Sequence, residues 1–185
     1  MTKPRKLTSV ITYLEMTEAP TSPTPPRPAA KIALLRAERP TLSFYRYLYN
    51  TIGEDWMWYL RREMDDETVL SIIHHEDVQI HVLYVDGAPA GFCELDYREA
   101  PDMQLSFIGL LPEFIGRGLG RFFLRWAIDQ AWTFNPKRLW MNTCTEDHPN
   151  ALPMYQRAGF VVYAQETIEI DDPRDRGLFG NAGKN

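Results

Sequence analysis

The most informative chemistry in the chain lies in Leu105 to Leu124, LSFIGLLPEFIGRGLGRFFL. An apolar, strand-like run meets Pro112, a short loop follows, and Gly116, Gly118 and Gly120 then lead into an amphipathic helix. Glycines in such a place let a ligand approach the backbone closely. The unpaired N–H groups of the helix start, with the helix dipole behind them, favour a phosphate. Arg117 and Arg121 add positive charge beside them. The spacing excludes two common phosphate loops. A Walker A loop needs Gly-Lys-Ser/Thr four residues after its first glycine, and none is present. A dinucleotide fingerprint needs G-x-G-x-x-G and a βαβ continuation; here the pattern is G-x-G-x-G, and nothing after Val161 supplies that unit.

A second segment, His148-Pro149-Asn150-Ala151-Leu152-Pro153-Met154-Tyr155-Gln156-Arg157-Ala158-Gly159-Phe160, follows the first. Together, Ile115-Gly116-Arg117-Gly118-Leu119-Gly120 and this segment resemble the two signature elements of the GNAT N-acetyltransferases. These are Gln/Arg-x-x-Gly-x-Gly/Ala after the fourth strand, and Asn-x-x-Ala-x-x-x-Tyr-x-x-x-Gly-Phe. Ala151, Tyr155, Gly159 and Phe160 fall in register. The chain departs from the pattern at Ile115, where the family carries Gln or Arg, and at His148, where it carries Asn; a displaced Asn stands at Asn150. The resemblance is best over residues 78–165. It implies an α/β fold with a mixed, mostly antiparallel twisted sheet flanked by helices, splayed where acetyl-CoA enters. It also implies direct attack of a primary amine on the thioester in a ternary complex, with no covalent enzyme intermediate. The pantetheine arm would pair with the strand ending at Leu110, and the N–H of Leu110 or Leu111 would stabilise the oxyanion. Cofactor contacts are then expected from Leu110, Leu111, Ile115, Gly116, Arg117, Gly118, Leu119, Gly120, Arg121 and His148, with the backbone N–H of Ile115 remaining although its side-chain contact is lost. Tyr155 would give a proton to the departing thiolate, and Cys93 and Cys144 are read as packing residues.

A protonated amine must lose a proton before it attacks. Glu94 lies mid-strand among apolar residues, Asp96 shares its face by the period of two, and desolvation raises a carboxylate's pKa. Glu94 is therefore the expected base, against the alternative that both carboxylates face solvent or pair with an arginine. His148 is a further possibility, and Gln104 cannot act as a base. His74-His75-Glu76-Asp77 looks like a metal cluster, but adjacent helical residues point in different directions and nothing elsewhere completes the site, so no metal is expected. Tyr45, Tyr47, Tyr49, Trp56, Trp58 and Tyr59 read mostly as core, with one or two facing the acceptor, where a ring can meet a cationic amine.

The elements that position these groups follow from periodicity. Strands are predicted over Thr8–Met16, Lys31–Arg36, Val78–Val85, Ala88–Tyr97, Met103–Leu111, Arg138–Thr143 and Val161–Ile170, with Asp86-Gly87 as a hairpin turn. Helices are predicted within 41–75, with Asp66 as an N-cap, and over Leu119–Trp132 and Ala151–Ala158. The division expected is 1–30, a strand and a Pro-rich linker; 31–170, the acetyltransferase domain; and 171–185, a flexible tail. The 185 residues, 44% hydrophobic and 24% charged, suit one globular domain. A net charge of −5 gives no support to a nucleic-acid partner and leans towards a cationic acceptor, a small molecule or peptide amine. No run reaches the ~18 apolar residues of a membrane span. With two cysteines and no secretory h-region, the expectation is a cytoplasmic protein, and the resemblance allows a homodimer. Two other readings are a non-catalytic acyl-CoA-binding module, kept open by Gln104 and Ile115, and an adaptor built on the aromatic N-terminal region.

Overall fold

The computed structural model describes residues 4–180. Asp86 and Gly87 both take positive φ, 51° and 89°, as a two-residue hairpin with the right-handed strand twist requires. They join β3 (Val78–Val85) to β4 (Ala88–Asp96), and β5 (Asp102–Leu110) runs back along β4. On the far side of β3, β2 (Ile32–Arg36) forms one edge of the sheet. The other half is β6 (Arg138–Cys144), β1 (Lys6–Met16) and β7 (Val161–Asp171), giving the order β2-β3-β4-β5-β6-β1-β7. Every pairing is antiparallel except β5 with β6.

Helices cover both faces. Thr41 caps α1 (Leu42–Gly53) by accepting the Phe44 N–H at 3.3 Å. A one-turn helix α2 (Leu60–Glu63) and α3 (Asp66–Ile73) follow. The cap of α3 is Asp65, one residue before the expected Asp66: Asp65 is extended and accepts the Thr68 N–H at 2.7 Å. This group packs Tyr45, Leu48 and Ile73 against Ile80 and Phe92. On the opposite face α4 (Leu119–Trp132) and α5 (Ala151–Arg157) pack Phe123, Ile128 and Tyr155 against Leu105, Leu139 and Met141.

The termini differ from the expected division. Residues 6–16 belong to the sheet itself: Leu14 pairs with Met141 and Met16 with Leu139, and both side chains are buried. The Pro-rich stretch crosses α4, where Arg125 donates to the Ser22 carbonyl at 2.7 Å. At the other end, the residues after Asp171 are tied down through Gly180, where a flexible tail was expected. Arg62 stacks on Phe179 at 4.3 Å and donates to the Leu178 carbonyl at 2.9 Å, and the Gly180 N–H reaches Glu54 at 2.9 Å. These contacts fasten the segment between α1 and α2. Residues 181–185, also assigned to that tail, lie outside the described residues.

Leu14, fully buried in the strand between β6 and β7, makes the first test. Leu14→Ala is expected to lower stability by about 2–5 kcal/mol, read by urea or thermal denaturation. An unchanged midpoint would put β1 outside the core.

Candidate active site

β5 and β6 stay together for three pairs only, Asp102 with Arg138 through Gln104 with Trp140, and Arg138 clamps that end by reaching Asp102 at 2.8 Å and Glu15 at 3.1 Å. Beyond it the strands part around a cavity of about 490 Å³. A bulge in the β4–β5 register falls at Ser106. The Leu111 N–H is bonded to the Ala90 carbonyl at 2.8 Å. In an antiparallel ladder, residues bonded to the partner alternate with residues whose N–H and C=O point away. Leu110, unlike Leu111, therefore turns its N–H towards the parted side. Of the two expected oxyanion donors, Leu111 is already engaged and Leu110 is open.

The loop after β5 closes one wall. Pro112–Phe114 form a single 3-10 turn, and the Ile115 N–H folds back on the Pro112 carbonyl at 3.3 Å, so it is not the spare donor expected of it. Gly116 and Gly118 take φ of 80° and 74°, which a side chain would strain. Gly118 is the N-cap of α4 and brings no side-chain cap, leaving the first N–H groups of that helix turned to the loop. Ile115, Gly116, Gly118, Leu119 and Gly120 all line the cavity. Arg117 lies over the Phe114 ring at 4.9 Å, and Arg121 is exposed on the first turn of α4, outside the cavity lining. His148 lines the cavity 4.8 Å from the Trp56 ring, but its Nδ1 accepts the Asn150 N–H at 3.0 Å and its carbonyl accepts the Ala151 N–H at 2.8 Å. It thus builds the entry to α5.

Tyr155, on α5, lines the cavity. Burial, reinforced by the charge of Asp147, pushes its phenol upward, so it is protonated at neutral pH. Asp147 itself was missed in the sequence, where it sits in the turn-like run Thr-Glu-Asp-His-Pro-Asn. Its carboxylate accepts from Thr143 Oγ1 at 2.6 Å, from Trp58 Nε1 at 3.3 Å and from the Cys144 N–H at 3.3 Å. Desolvation raises its pKa in spite of these three donors. The cysteines are free thiols. Cys93 is fully buried, and burial with the nearby Asp147 charge pushes Cys144 up to about 11, so neither is a thiolate at neutral pH.

Glu94 is not the residue that faces the cavity. It is 0% exposed, takes Arg61 Nη2 on one oxygen at 2.6 Å and the Tyr45 hydroxyl on the other at 2.6 Å, and Arg61 Nε closes the triangle on Tyr45 at 3.2 Å. Both partners come from the helical segment, whose contacts with β4 no local pattern reveals. Asp96 does line the cavity, but its desolvation is outweighed by Arg98, which grips both its oxygens and holds its pKa below the ordinary value. Of the aromatic set, Tyr49, Trp56, Trp58 and Tyr59 line the cavity, Tyr45 is core, and Tyr47 is exposed. His74 Nε2 donates to the Pro40 carbonyl at 2.9 Å, and among the described residues no three His, Cys, Asp or Glu side chains converge as a metal site would require. No described helix is long and apolar enough to cross a membrane.

A sheet parted beside a glycine loop at a helix start defines the fold of acyl-CoA N-acyltransferases. The model of the acetyltransferase (GNAT) family matches residues 44–160, and the chain belongs to that family, whose chemistry is acyl transfer. Solved structures share the fold at low identity. A GCN5-related N-acetyltransferase from Sphaerobacter thermophilus superposes with a TM-score of 0.59 at 16% identity, over 90% of this chain and 51% of that one. For a GCN5-related N-acetyltransferase from Kribbella flavida the values are 0.57, 15%, 89% and 58%. A spermidine N-acetyltransferase from Vibrio cholerae in complex with CoA and spermine gives 0.56, 20%, 77% and 96%. The chain thus spans little more than half of the first two.

The Arg61–Glu94 pair predicts a loss of stability on substitution. Removing one charge from a buried pair costs about 3–5 kcal/mol, so Glu94→Gln is expected to lower the melting temperature. A variant that melts like the parent yet loses the acid limb of its pH–rate profile would instead restore Glu94 as a base.

Proposed function

We propose that this protein transfers an acetyl group from acetyl-CoA to a primary amine by direct attack. The observation that carries the reading is the open Leu110 N–H, set between an uncapped glycine-rich helix start and the Tyr155–Asp147 side of the cavity. The glycine loop and the start of α4 suit the pyrophosphate. The unpaired edge of β5 suits the pantetheine amides, because its outward N–H and C=O groups have no partner strand beyond Gln104. That the Vibrio cholerae structure is a complex with CoA supports a coenzyme A thioester as the acyl donor.

The step is written with Asp147 as base, in place of Glu94. Its raised pKa keeps it a competent proton acceptor, and it lies on the cavity wall. The neutral amine forms the N–C bond while the Leu110 N–H takes up the charge developing on the thioester oxygen. Collapse breaks the C–S bond. The Asp147 carboxylate takes the proton lost by the amine, and Tyr155 gives its phenolic proton to the departing thiolate. Cys144, protonated at neutral pH, has no part in the transfer.

Coenzyme A release with acetyl-CoA over an amine panel tests this. Tyr155→Phe and Asp147→Asn are each expected to lower kcat/KM by roughly 10²-fold, the scale of one positioned acid or base. Because Asp147 works deprotonated, kcat/KM falls as pH drops through its pKa, above the ~3.9 of a free aspartate; Asp147→Asn removes that limb. Gly118→Ala, forced to a left-handed φ, is expected to weaken acetyl-CoA binding in calorimetry with little effect on kcat. Tight acetyl-CoA binding with no amine acetylated at any pH would favour the acyl-CoA-binding module.

A further inference from the structure

We infer that the acceptor is a hydrophobic amine, an aryl- or branched-alkylamine without a carboxylate; this rests on the transferase reading above. Two features of the cavity on the α1 side lead there. The first is its wall. Leu7 and Ile11 of β1, Ile168 and Ile170 of β7, Phe107 of β5, and Trp58 line it together. Leu7 pairs with Ile170 and Ser9 with Ile168, so the aliphatic side chains come from adjacent strands, with the Ser9 hydroxyl among them donated to Glu146. An ammonium or carboxylate pressed on such a surface loses its hydration without replacement.

The second feature is the distribution of charge. Two arginines reach this part of the cavity, and each is already matched: Arg61 to Glu94 at 2.6 Å, and Arg98 to Asp96 at 2.6 Å. Two further carboxylates, Glu146 and Asp147, line the cavity and have no cation partner among the described residues. Glu146 is held only by the hydroxyls of Ser9 and Thr145, and Asp147 only by Thr143, Trp58 and a backbone N–H. The cavity therefore carries uncompensated negative charge at one place and apolar surface around it. A cationic amine is the complement of that charge. An amino acid would bring a carboxylate to a wall whose guanidinium groups are both engaged, beside two carboxylates that repel it. A polyamine such as spermidine carries more ammonium groups than the two carboxylates match and would press the remainder against isoleucine and leucine.

Recognition of the amine end is also available from the aromatic residues of the wall. The Trp56 and Trp58 rings nearby add a face for a cation.

The experiment uses the full chain and reads binding before turnover. Acetyl-CoA and CoA are first titrated alone by calorimetry; absence of binding there overturns the transferase reading itself. With the protein saturated with CoA, 2-phenylethylamine, L-phenylalanine and spermidine are then titrated in turn. Phenylethylamine is expected to bind at least roughly tenfold more tightly than either, a difference of about 1.4 kcal/mol. Phenylalanine differs from it only by the carboxylate, while spermidine lacks the ring and carries two further ammonium groups. Ile168→Glu, which sets a carboxylate in the apolar wall, is expected to weaken phenylethylamine and strengthen spermidine. Equal or tighter binding of phenylalanine or spermidine to the parent protein, with CoA binding intact, overturns the inference and leaves the transferase reading standing.

Discussion

The site depends on two strands that begin as neighbours and do not remain so. Backbone N–H and C=O groups inside a protein need partners, and β5 meets this need on its β4 side right through Leu111. On its β6 side the need is met only as far as Gln104. Everything from Ser106 to Leu110 is then a sheet edge inside the molecule, with a cavity where a strand would be. An interior edge of this kind is a liability unless something pairs with it. The same vacancy makes it useful, because a ligand carrying amide groups can complete the ladder.

What keeps the strands apart is that each is anchored to a different body. Gly91 and Gly109 allow β4 and β5 to lie against each other and against Ile52 and Trp58; a methyl on Gly109 would come within 2.4 Å of Ile52. β6 instead belongs with β1, through six consecutive pairs from Ile11 to Met16. The family match begins at residue 44, beyond β1, yet that strand supplies both the support of β6 and part of the cavity wall. The C-terminal segment fastens the opposite wall, since Arg62 and Glu54, which it holds, bracket Trp56 to Arg61. The two ends of the chain thus frame the site from opposite sides.

The glycine loop, the helix after it and the helix that carries Tyr155 were legible in the sequence because each is a local pattern: glycine spacing, an amphipathic period, a motif in register. The strands were legible for the same reason, from alternation and the Asp-Gly turn. Partnership was not. Nothing in Thr8–Met16 says that its neighbours are β6 and β7, since alternation fixes a face and not a position in the sheet. Glu94 failed similarly. Its apolar surroundings correctly marked a buried carboxylate, but Arg61, 33 residues upstream, turned a candidate base into half of an ion pair. Asp147 is the converse case, an acidic residue in a turn-like run that reads as solvated until the fold brings Trp58 over it.

These two carboxylates show how the protein sorts its charges. A carboxylate in a low-dielectric interior must be matched by a cation, satisfied by neutral donors, or protonated. Glu94 takes the first course, with Arg61 and Tyr45 on its two oxygens, and is thereby fixed in place. Asp147 takes the second, with a hydroxyl, an indole N–H and a backbone N–H. Neutral donors orient a carboxylate without cancelling its charge, so Asp147 keeps its attraction for a cation and its pKa is raised where that of Asp96, gripped by Arg98, is lowered. Of Glu94, Asp96 and Asp147, only Asp147 has no cation among the described residues, so it is the one of the three whose burial favours taking up a proton.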